Sequence, residues 1–245
     1  IYLTGNFISD TLYFNNSIFL KITNKDYNDI YIAKYNSNGI CQWVDKIGGT
    51  NNEYVNCICS DKNNNIYLTG YFGSNTITFN NSISLKNTRY LDVFLTMYNS
   101  SGVCQWAKKI SGASHEYGMS VTVDGNGNVY TAGTYQSNPI EFDSEISLAY
   151  SSNGLEAYIA KFNNNGICQW AENITNGGNY LLSIVTNDLG NNLYVLGSFG
   201  SNYIEFSNGV KAYRIISSVS NAFFAKLVSA FPIELCKGWN LISSN

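Results

Sequence analysis

The fold of this chain is decided by the stretch Ser120-Val-Thr-Val-Asp-Gly-Asn-Gly-Asn-Val-Tyr-Thr-Ala-Gly133. Apolar and β-branched residues stand on both sides of a short run of Asp, Gly and Asn. These turn residues accept the backbone angles that a tight reversal needs. The stretch therefore predicts a strand, a turn and a second strand.

The same hairpin recurs along the sequence at a long period. It is found again at 57–70 and 183–197, and its second half opens the chain at 1–5. A glycine ends each copy, and these glycines are predicted to share one structural position: Gly5, Gly70, Gly133 and Gly197. Their spacing of about 64 residues divides the chain into repeats, which are 1–65, 66–128, 129–192 and 193–245.

Each repeat predicts four main strands joined by hairpins. After the glycine come a short hairpin, a strand such as 157–162, a turn containing Gly, and a strand that carries Cys-Gln-Trp. The first copy lacks its opening strand, and the fourth lacks the Cys-Gln-Trp pattern. Several strands, such as 66–68, are apolar on both faces, which indicates sheets that cover one another on both sides. We therefore predict an all-β fold, a β-propeller of four-stranded blades, with a linear β-solenoid as the less favoured alternative.

Trp43, Trp106 and Trp170 recur once in each of the first three repeats. An indole buries a large apolar area, and its recurrence at one position favours a packing role. We expect these rings to form a wedge between blades rather than a platform for a sugar.

The quoted strings resemble those of a known family. Val-Asp-Gly-Asn-Gly-Asn-Val-Tyr-Thr-Ala-Gly at 123–133, Tyr-Ile-Ala-Lys-Phe at 158–162 and Gly-Ile-Cys-Gln-Trp-Ala at 166–171 resemble the SBBP-type β-propeller repeat and, more distantly, NHL repeats. The resemblance covers nearly the whole chain. It implies a scaffolding module of a larger, often extracellular or surface protein. The composition, rich in Asn, Ile, Tyr and Lys, resembles proteins of giant viruses that infect amoebae, which favours a virion surface.

The number of blades in the ring has two interpretations. In one, the four units are part of a ring of about six to eight blades that includes residues beyond this sequence. In the other, residues 239–243 supply the strand missing beside 1–4 and close a four-bladed ring. The tail at 234–245 alternatively begins a following β domain. Because the sequence begins inside a strand motif without Met, we expect it to be a piece of a longer protein.

Composition argues against several classes of partner and cofactor. Only 13% of residues are charged and the net charge is −3, so we expect no binding to nucleic acid through its phosphates. No apolar run reaches the length of about 18 residues that membrane insertion by a helix needs. The cysteines predict no structural disulfides, because equivalent positions in successive repeats lie too far apart: Cys41, Cys57, Cys59, Cys104, Cys168 and Cys236. No metal site or cofactor is expected, since no histidine joins them at ligand spacing.

A few residues are candidates for chemistry. The turn that begins at Asp124 resembles the start of a calcium loop, but Tyr135 stands where that loop needs a bidentate Glu. We therefore expect a turn stabilised by its own Asp side chain. Glu53, His115 and Glu116 are the loop residues offered as candidates for contact with a partner. The favoured interpretation is that the glutamates contact backbone amides of the loops and that the histidine is an exposed loop residue.

The sequence favours a non-enzymatic scaffold that binds proteins. Its contact regions are predicted to be the segments that differ most between copies, namely 8–28, 72–91, 136–155 and 200–220. The alternative is a carbohydrate-binding propeller that uses exposed Tyr and Asn. A hydrolase or lyase with a central pocket is the least favoured, because the inner strand of each blade carries mainly Ser, Thr, Val, Ile and Cys.

Overall fold

The structure, a computed structural model, describes residues 1–150, 154–178, 182–187, 192–206, 211–213, 221–227 and 233–235. All regular structure in these residues is β-strand, so none of them belongs to a helix that could span a membrane. The strands are β1 (Tyr2–Phe7), β2 (Thr11–Tyr13), β3 (Phe19–Lys21), β4 (Asp29–Tyr35), β5 (Cys41–Ile47), β6 (Glu53–Ser60), β7 (Ile66–Phe72), β8 (Thr76–Thr78), β9 (Ser84–Lys86), β10 (Asp92–Tyr98), β11 (Cys104–Ile110), β12 (Glu116–Val123), β13 (Val129–Tyr135), β14 (Ile140–Glu141), β15 (Ser147–Leu148), β16 (Leu155–Phe162), β17 (Cys168–Gly178), β18 (Leu182–Asn187), β19 (Asn192–Phe199), β20 (Tyr203–Phe206), β21 (Lys211–Tyr213), β22 (Asn221–Leu227) and β23 (Ile233–Leu235).

The main strands form four antiparallel sheets, which we call units 1 to 4. Unit 1 has the order β1-β4-β5, unit 2 has β6-β7-β10-β11, unit 3 has β12-β13-β16-β17, and unit 4 has β18-β19-β22-β23. Within the described residues, unit 1 therefore lacks the inner strand that opens the other three units, as predicted. Tight turns join the first strand to the second and the third strand to the fourth, so these neighbours pair as antiparallel hairpins.

The units begin one strand earlier than the repeats counted from the glycines. The sheet of unit 2 spans 53–110, because β6 pairs with β7 through the short turn at 61–65. A repeat counted from 66 instead assigns β6 to the preceding copy. The sheets therefore meet in the loops that follow β5, β11 and β17.

A short hairpin projects between the second and third strands of every unit. These hairpins are β2-β3, β8-β9, β14-β15 and β20-β21, and the last also pairs with β17 of unit 3. Isolated bridges join Gly48 to Thr78 and Ser111 to Glu141. The hairpins β8-β9 and β14-β15 are thereby attached to the loops that follow units 1 and 2.

The apolar core lies between consecutive units rather than inside one sheet. One cluster joins Ile32 of unit 1 to Leu68 of unit 2, a second joins Leu95 to Phe162, and a third joins Ile159 to Val195. The inner strand β12 contacts both β6 and β18, so the opening strands of units 2 to 4 lie side by side. Four-stranded sheets stacked face to face with neighbouring inner strands are blades of a β-propeller.

The anchor glycines at 70 and 133 occupy positions where no side chain fits. A Cβ on Gly70 would overlap the carbonyl oxygen of Tyr54, and one on Gly133 would overlap that of Tyr117. Both carbonyls lie beside a shift in strand register, where the inner strand bulges toward its neighbour. A Cβ on Gly5 would come within 2.9 Å of the Tyr31 ring, whereas Gly197 pairs with Phe223 in the equivalent position of unit 4.

Unit 4 is completed by β23, which pairs with β22. Residues 236–245, including the segment 239–243 that could close a ring and most of the proposed following domain, lie outside the described residues. Cys236 lies there too, whereas the other five cysteines carry free thiols.

Candidate interaction surfaces

Each unit has two ends with different chemistry. The turn side carries the hairpin turns between the first and second strands and between the third and fourth. The linker side carries the loops between units and the projecting hairpins. This division follows from the alternating direction of the strands.

On the turn side, the recurring tryptophans join consecutive units. The Trp43 indole of unit 1 lies against Gly102 of unit 2, where a Cβ would come within 2.7 Å of the ring. Trp106 lies in the same way against Gly166 of unit 3, with a corresponding distance of 2.9 Å. Each indole Nε1–H also donates to a carbonyl of the same turn, Trp43 to Ser100 at 3.3 Å and Trp106 to Asn164 at 3.0 Å. We call this contact the indole joint; it places the rings between blades.

The inner side of each indole packs on a tyrosine of its own unit. The ring centroids of Tyr2 and Trp43 are 6.1 Å apart, those of Tyr67 and Trp106 are 6.3 Å apart, and those of Tyr130 and Trp170 are 6.2 Å apart. The turn at 228–232 that Trp170 would meet in unit 4 lies outside the described residues.

A polar cleft of about 1020 Å³ opens on the turn side between units 2 and 3. Asp61 and Asp124 stand in its walls with their carboxylates bound to their own turns. Asp61 accepts the backbone N–H groups of Asn63 and Asn65 at 2.8 and 2.9 Å, and also the Tyr67 hydroxyl at 3.2 Å. These contacts form the predicted Asp-stabilised turn rather than a calcium loop.

The turn at Asp124 repeats this arrangement. Its carboxylate accepts the N–H groups of Asn126 and Asn128, both at 2.9 Å, and the Tyr130 hydroxyl at 3.2 Å. No group of three or more metal-binding side chains occurs among the described residues. The third such turn, at 188–192, begins outside them.

The rest of the cleft is lined by carboxamides and one ammonium group. Asn63, Asn126, Asn164 and Asn165 line it, and the Lys62 ammonium donates to the carbonyl of Gly125 at 3.1 Å. Carboxamides both donate and accept hydrogen bonds. The cleft therefore suits a neutral polar ligand better than an ion.

On the linker side, Glu53 and Glu116 are buried rather than displayed. Each begins an inner strand, and both are 0% exposed. Glu53 accepts the backbone N–H of Ser74 at 3.3 Å; Glu116 accepts that of Gly112 at 3.0 Å and the hydroxyl of Ser137. The favoured contact with backbone amides is therefore confirmed, whereas the placement in loops is wrong, because each glutamate begins a strand and the fold encloses its carboxyl group between units.

Burial changes the protonation of these two carboxyl groups. Loss of water, with a smaller contribution from the nearby Asp29 and Asp92, raises the pKa of Glu53 to about 7 and that of Glu116 to about 8. Each aspartate in turn pairs with a lysine, Asp29 with Lys46 at 3.2 Å and Asp92 with Lys109 at 3.7 Å. Near neutral pH, Glu116 is therefore mostly protonated inside the boundary between units 2 and 3.

An aromatic strip crosses the linker side at the same boundary. Its ring centroids are 5.2 Å apart between Tyr54 and Tyr71, 5.0 Å between Tyr71 and Tyr117, 6.3 Å between Tyr117 and His115, and 5.0 Å between His115 and Tyr90. His115 is half-buried in this strip, so its description as a merely exposed loop residue is corrected.

The aromatic strip does not recur in the other units. The positions equivalent to Tyr71 hold Asn6, Thr134 and Ser198, and the position equivalent to His115 holds Asn52. Only the packing of β7 on β12 brings Tyr71 beside Tyr117. No pattern within one repeat could have revealed the strip.

The projecting hairpins present a different pair of side chains in each unit. The same cross-strand position holds Tyr13 and Phe19, then Thr78 and Ser84, then Glu141 and Ser147, then Glu205 and Lys211. The following residue is phenylalanine in every unit, and in units 2 to 4 it is buried: Phe14, Phe79, Phe142 and Phe206. The hairpins thus keep one constant anchor beneath a variable surface.

The chemistry of these pairs ranges from apolar to ionic. Tyr13 and Phe19 are 68% and 46% exposed and their ring centroids are 5.8 Å apart. Glu205 and Lys211 form an ion pair at 3.2 Å. Four hairpins on one scaffold therefore offer four chemically distinct contacts.

Comparison with known proteins agrees with the fold. No family model matches this chain. An uncharacterized WD repeat-containing protein of Acanthamoeba polyphaga mimivirus is 26% identical over 212 residues, which covers 75% of this chain. The chain spans about 15% of the length of that relative. WD repeats build β-propellers, and the relative comes from a giant virus, whereas the SBBP resemblance stays a prediction.

Proposed function

We propose that this chain is a non-enzymatic scaffold, a β-propeller module of a larger surface or virion-associated protein that binds protein partners through its projecting hairpins. The support from comparison is a relative named for its WD repeats, whose full length is several times that of this chain. Repeat architectures commonly place variable residues on a binding face.

The hairpin pairs are the observation that carries the proposal. At one position the four units differ in size, polarity and charge, while the phenylalanine beside it is constant. A position that served only folding would be expected to repeat like the glycines and indoles. The exposed Tyr13 and Phe19 pair is the most apolar of the four pairs at this position and is expected to contribute most to binding.

The test replaces one hairpin surface by another that the chain already uses. In the variant Tyr13→Thr/Phe19→Ser, unit 1 carries the pair of unit 2. Proteins retained from an amoebal extract by the variant and by the parent chain are compared by quantitative mass spectrometry. We expect specific proteins to be lost with the variant, while its thermal unfolding midpoint stays within a few degrees of the parent value.

The matched control is Thr78→Ala/Ser84→Ala, which removes two small hydroxyls from the same position of unit 2. This control should still retain the proteins that are lost with Tyr13→Thr/Phe19→Ser. Identical retention by the parent and both variants would contradict the assignment of binding to the hairpins.

A carbohydrate-binding propeller is the second candidate, and the aromatic strip favours it. Sugar rings bind to aromatic faces flanked by hydrogen-bonding groups, and the strip joins four tyrosine or histidine rings to the half-exposed Tyr90. Binding on a glycan array that disappears with Tyr71→Thr, the residue type of unit 3, would support this candidate over the first.

A hydrolytic site has the least support. Glu53 and Glu116 do lie at the start of inner strands, where such a site would need acids. Both are fully buried and bound to backbone amides, so substrate could not reach them in this conformation.

A further inference from the structure

One position in the third strand distinguishes unit 2 from the other units. Lys34, Lys161 and Lys226 hold this position in units 1, 3 and 4, and each is the register partner of a tyrosine in the second strand. In unit 2 the position holds Met97, whose register partner is Tyr67. Met97 lies in the wall of the polar cleft between units 2 and 3. The cleft therefore stands where one unit departs from the lysine of the others.

The lysine of unit 1 shows what this position does at a boundary between units. The Lys34 ammonium lies 5.5 Å from the centroid of the Tyr2 ring and donates to the carbonyl of Ser100 in unit 2 at 2.8 Å. The same carbonyl accepts the indole N–H of Trp43 at 3.3 Å. One carbonyl of unit 2 thus receives two donors from unit 1, and the lysine side chain spans the boundary.

The equivalent carbonyl at the boundary between units 2 and 3 receives only one of these donors. Asn164 of unit 3 corresponds to Ser100 of unit 2, and its carbonyl accepts the indole N–H of Trp106 at 3.0 Å. Met97 carries a thioether in place of the ammonium, and a thioether cannot donate a hydrogen bond. Among the described residues no second donor reaches this carbonyl, so the cleft holds an acceptor that a lysine satisfies at the preceding boundary.

The two carboxylates in the walls of the cleft are already fully bonded within their own turns. Besides the two backbone N–H groups and the tyrosine hydroxyl described above, Asp61 accepts the side-chain amide of Asn65 at 2.8 Å. Asp124 accepts the side-chain amide of Asn128 at 2.7 Å in the same way. A carboxylate has about four lone-pair sites, so neither has one left for a metal ion or for the ammonium of a ligand.

The groups that remain available in the cleft match hydroxyl groups. Asn63, Asn126 and Asn165 are exposed there, and their side-chain amides make no hydrogen bond to the described residues. Each carboxamide offers both a donor and an acceptor, and a hydroxyl rotates to serve either one. A peptide backbone offers the same groups only at fixed spacing. The volume of about 1020 Å³ is the size of a small-molecule site.

We propose that the cleft between units 2 and 3 binds a short neutral oligosaccharide, and that one of its hydroxyls donates to the carbonyl of Asn164 where the other boundary uses a lysine. The carboxamides of Asn63 and Asn126 bind further hydroxyls, and Met97 lies beside the sugar. The cleft is on the turn side, whereas the projecting hairpins and the aromatic strip are on the linker side. The proposal therefore does not depend on what those two surfaces bind.

The two methionines of the chain provide a direct test with an internal control. Met97 lines the cleft, whereas Met119 lies on the inner strand β12 and does not line it. The full chain, labelled with ¹³C at the methionine methyl groups, is titrated with neutral trisaccharides of glucose, galactose, mannose or N-acetylglucosamine. Spermidine is titrated as a cationic probe. We expect a saturable NMR shift of the Met97 methyl with at least one sugar and no shift of Met119.

Substitutions then test which groups bind the sugar, with affinities measured by isothermal titration calorimetry. Met97→Lys gives unit 2 the residue type of the other units, and should weaken binding at least about tenfold because its ammonium takes the carbonyl from the sugar. The matched Met97→Leu adds no donor and should bind as the parent chain does. Asn63→Ala/Asn126→Ala should also weaken binding, whereas Asn16→Ala, on the hairpin of unit 1, should not.

Four results would overturn the proposal. One is the absence of a Met97 shift with every sugar, and another is tighter binding of spermidine than of any sugar. The third is unchanged sugar affinity in Met97→Lys or, where circular dichroism shows that this variant does not fold, in Asn63→Ala/Asn126→Ala. The fourth is loss of the Met97 shift in Tyr71→Thr, which would assign the sugar to the aromatic strip instead.

Discussion

The turn side and the linker side of this propeller use repetition in opposite ways. On the turn side, the same indole meets the same glycine turn at successive boundaries, and the same aspartate closes successive hairpins. On the linker side, the hairpins keep a phenylalanine anchor and change the pair above it. The difference separates residues that hold blades together from residues that are free to acquire binding specificity.

The comparison predicts its largest effect at the anchor glycines. Gly133→Ala should lower the free energy of unfolding by more than about 4 kcal/mol, because a Cβ would overlap the Tyr117 carbonyl oxygen. Thermal and urea denaturation followed by circular dichroism would measure this.

The matched control for Gly133→Ala is Gly200→Ala, where no described atom lies within 4 Å of the new Cβ. A loss of similar size at both positions would show that steric overlap at the bulge is not the cause.

The second effect is a pH dependence of the free energy of unfolding, which arises at the boundary between units 2 and 3. Glu116 has a folded-state pKa of about 8, far above its ordinary value of 4.5, because it is buried. The folded state holds this proton more tightly than the unfolded state. The stabilisation is therefore complete below about pH 4.5 and is lost as pH rises toward 8, by an amount on the order of 4 kcal/mol.

Glu116→Gln should remove most of this loss, so that the variant is more stable than the parent at pH 8 and similar to it at pH 4.5. Urea denaturation across this range would measure the slope. The control Glu141→Gln changes an exposed carboxylate and should keep the parent slope; an unchanged slope in Glu116→Gln would contradict the assignment.

The third effect concerns the indole joint. Trp106→Ala removes a half-buried ring and its hydrogen bond to Asn164, and should lower the free energy of unfolding by about 2–3 kcal/mol. Ile167→Ala, an exposed apolar residue near the same turn, should change it by less than about 0.5 kcal/mol. Equal effects in denaturation experiments would show that the joint adds no stability.

The smallest effect is expected on the linker side. Tyr13→Thr/Phe19→Ser should change the free energy of unfolding by about 0.5 kcal/mol or less per residue, because both rings are largely exposed. Scanning calorimetry would measure this. A loss of several kcal/mol would show that the hairpin surface serves folding and would remove the contrast between the two sides.

The sequence predicted the features that recur from repeat to repeat, and it missed the contacts that form only when units pack against each other. Four-stranded units, their glycines and the position of the tryptophans between blades followed from residues that recur at one period. The burial of Glu116 did not follow from the sequence, because a polar residue at the start of a strand resembles a loop residue when one repeat is considered alone. It is the packing of a neighbouring unit that buries it. The contact of Tyr71 with Tyr117 was missed for a similar reason, since it joins strands of different sheets.

The directional indole joint also bears on how such a chain can change in length. Because the boundaries between units 1 and 2 and between units 2 and 3 use the same donor ring and the same acceptor turn, loss or gain of one such segment leaves the remaining boundary with compatible surfaces. The number of segments can then change while each segment keeps its own projecting hairpin. A gene built this way can vary its projecting hairpins by unequal recombination without repacking its interior.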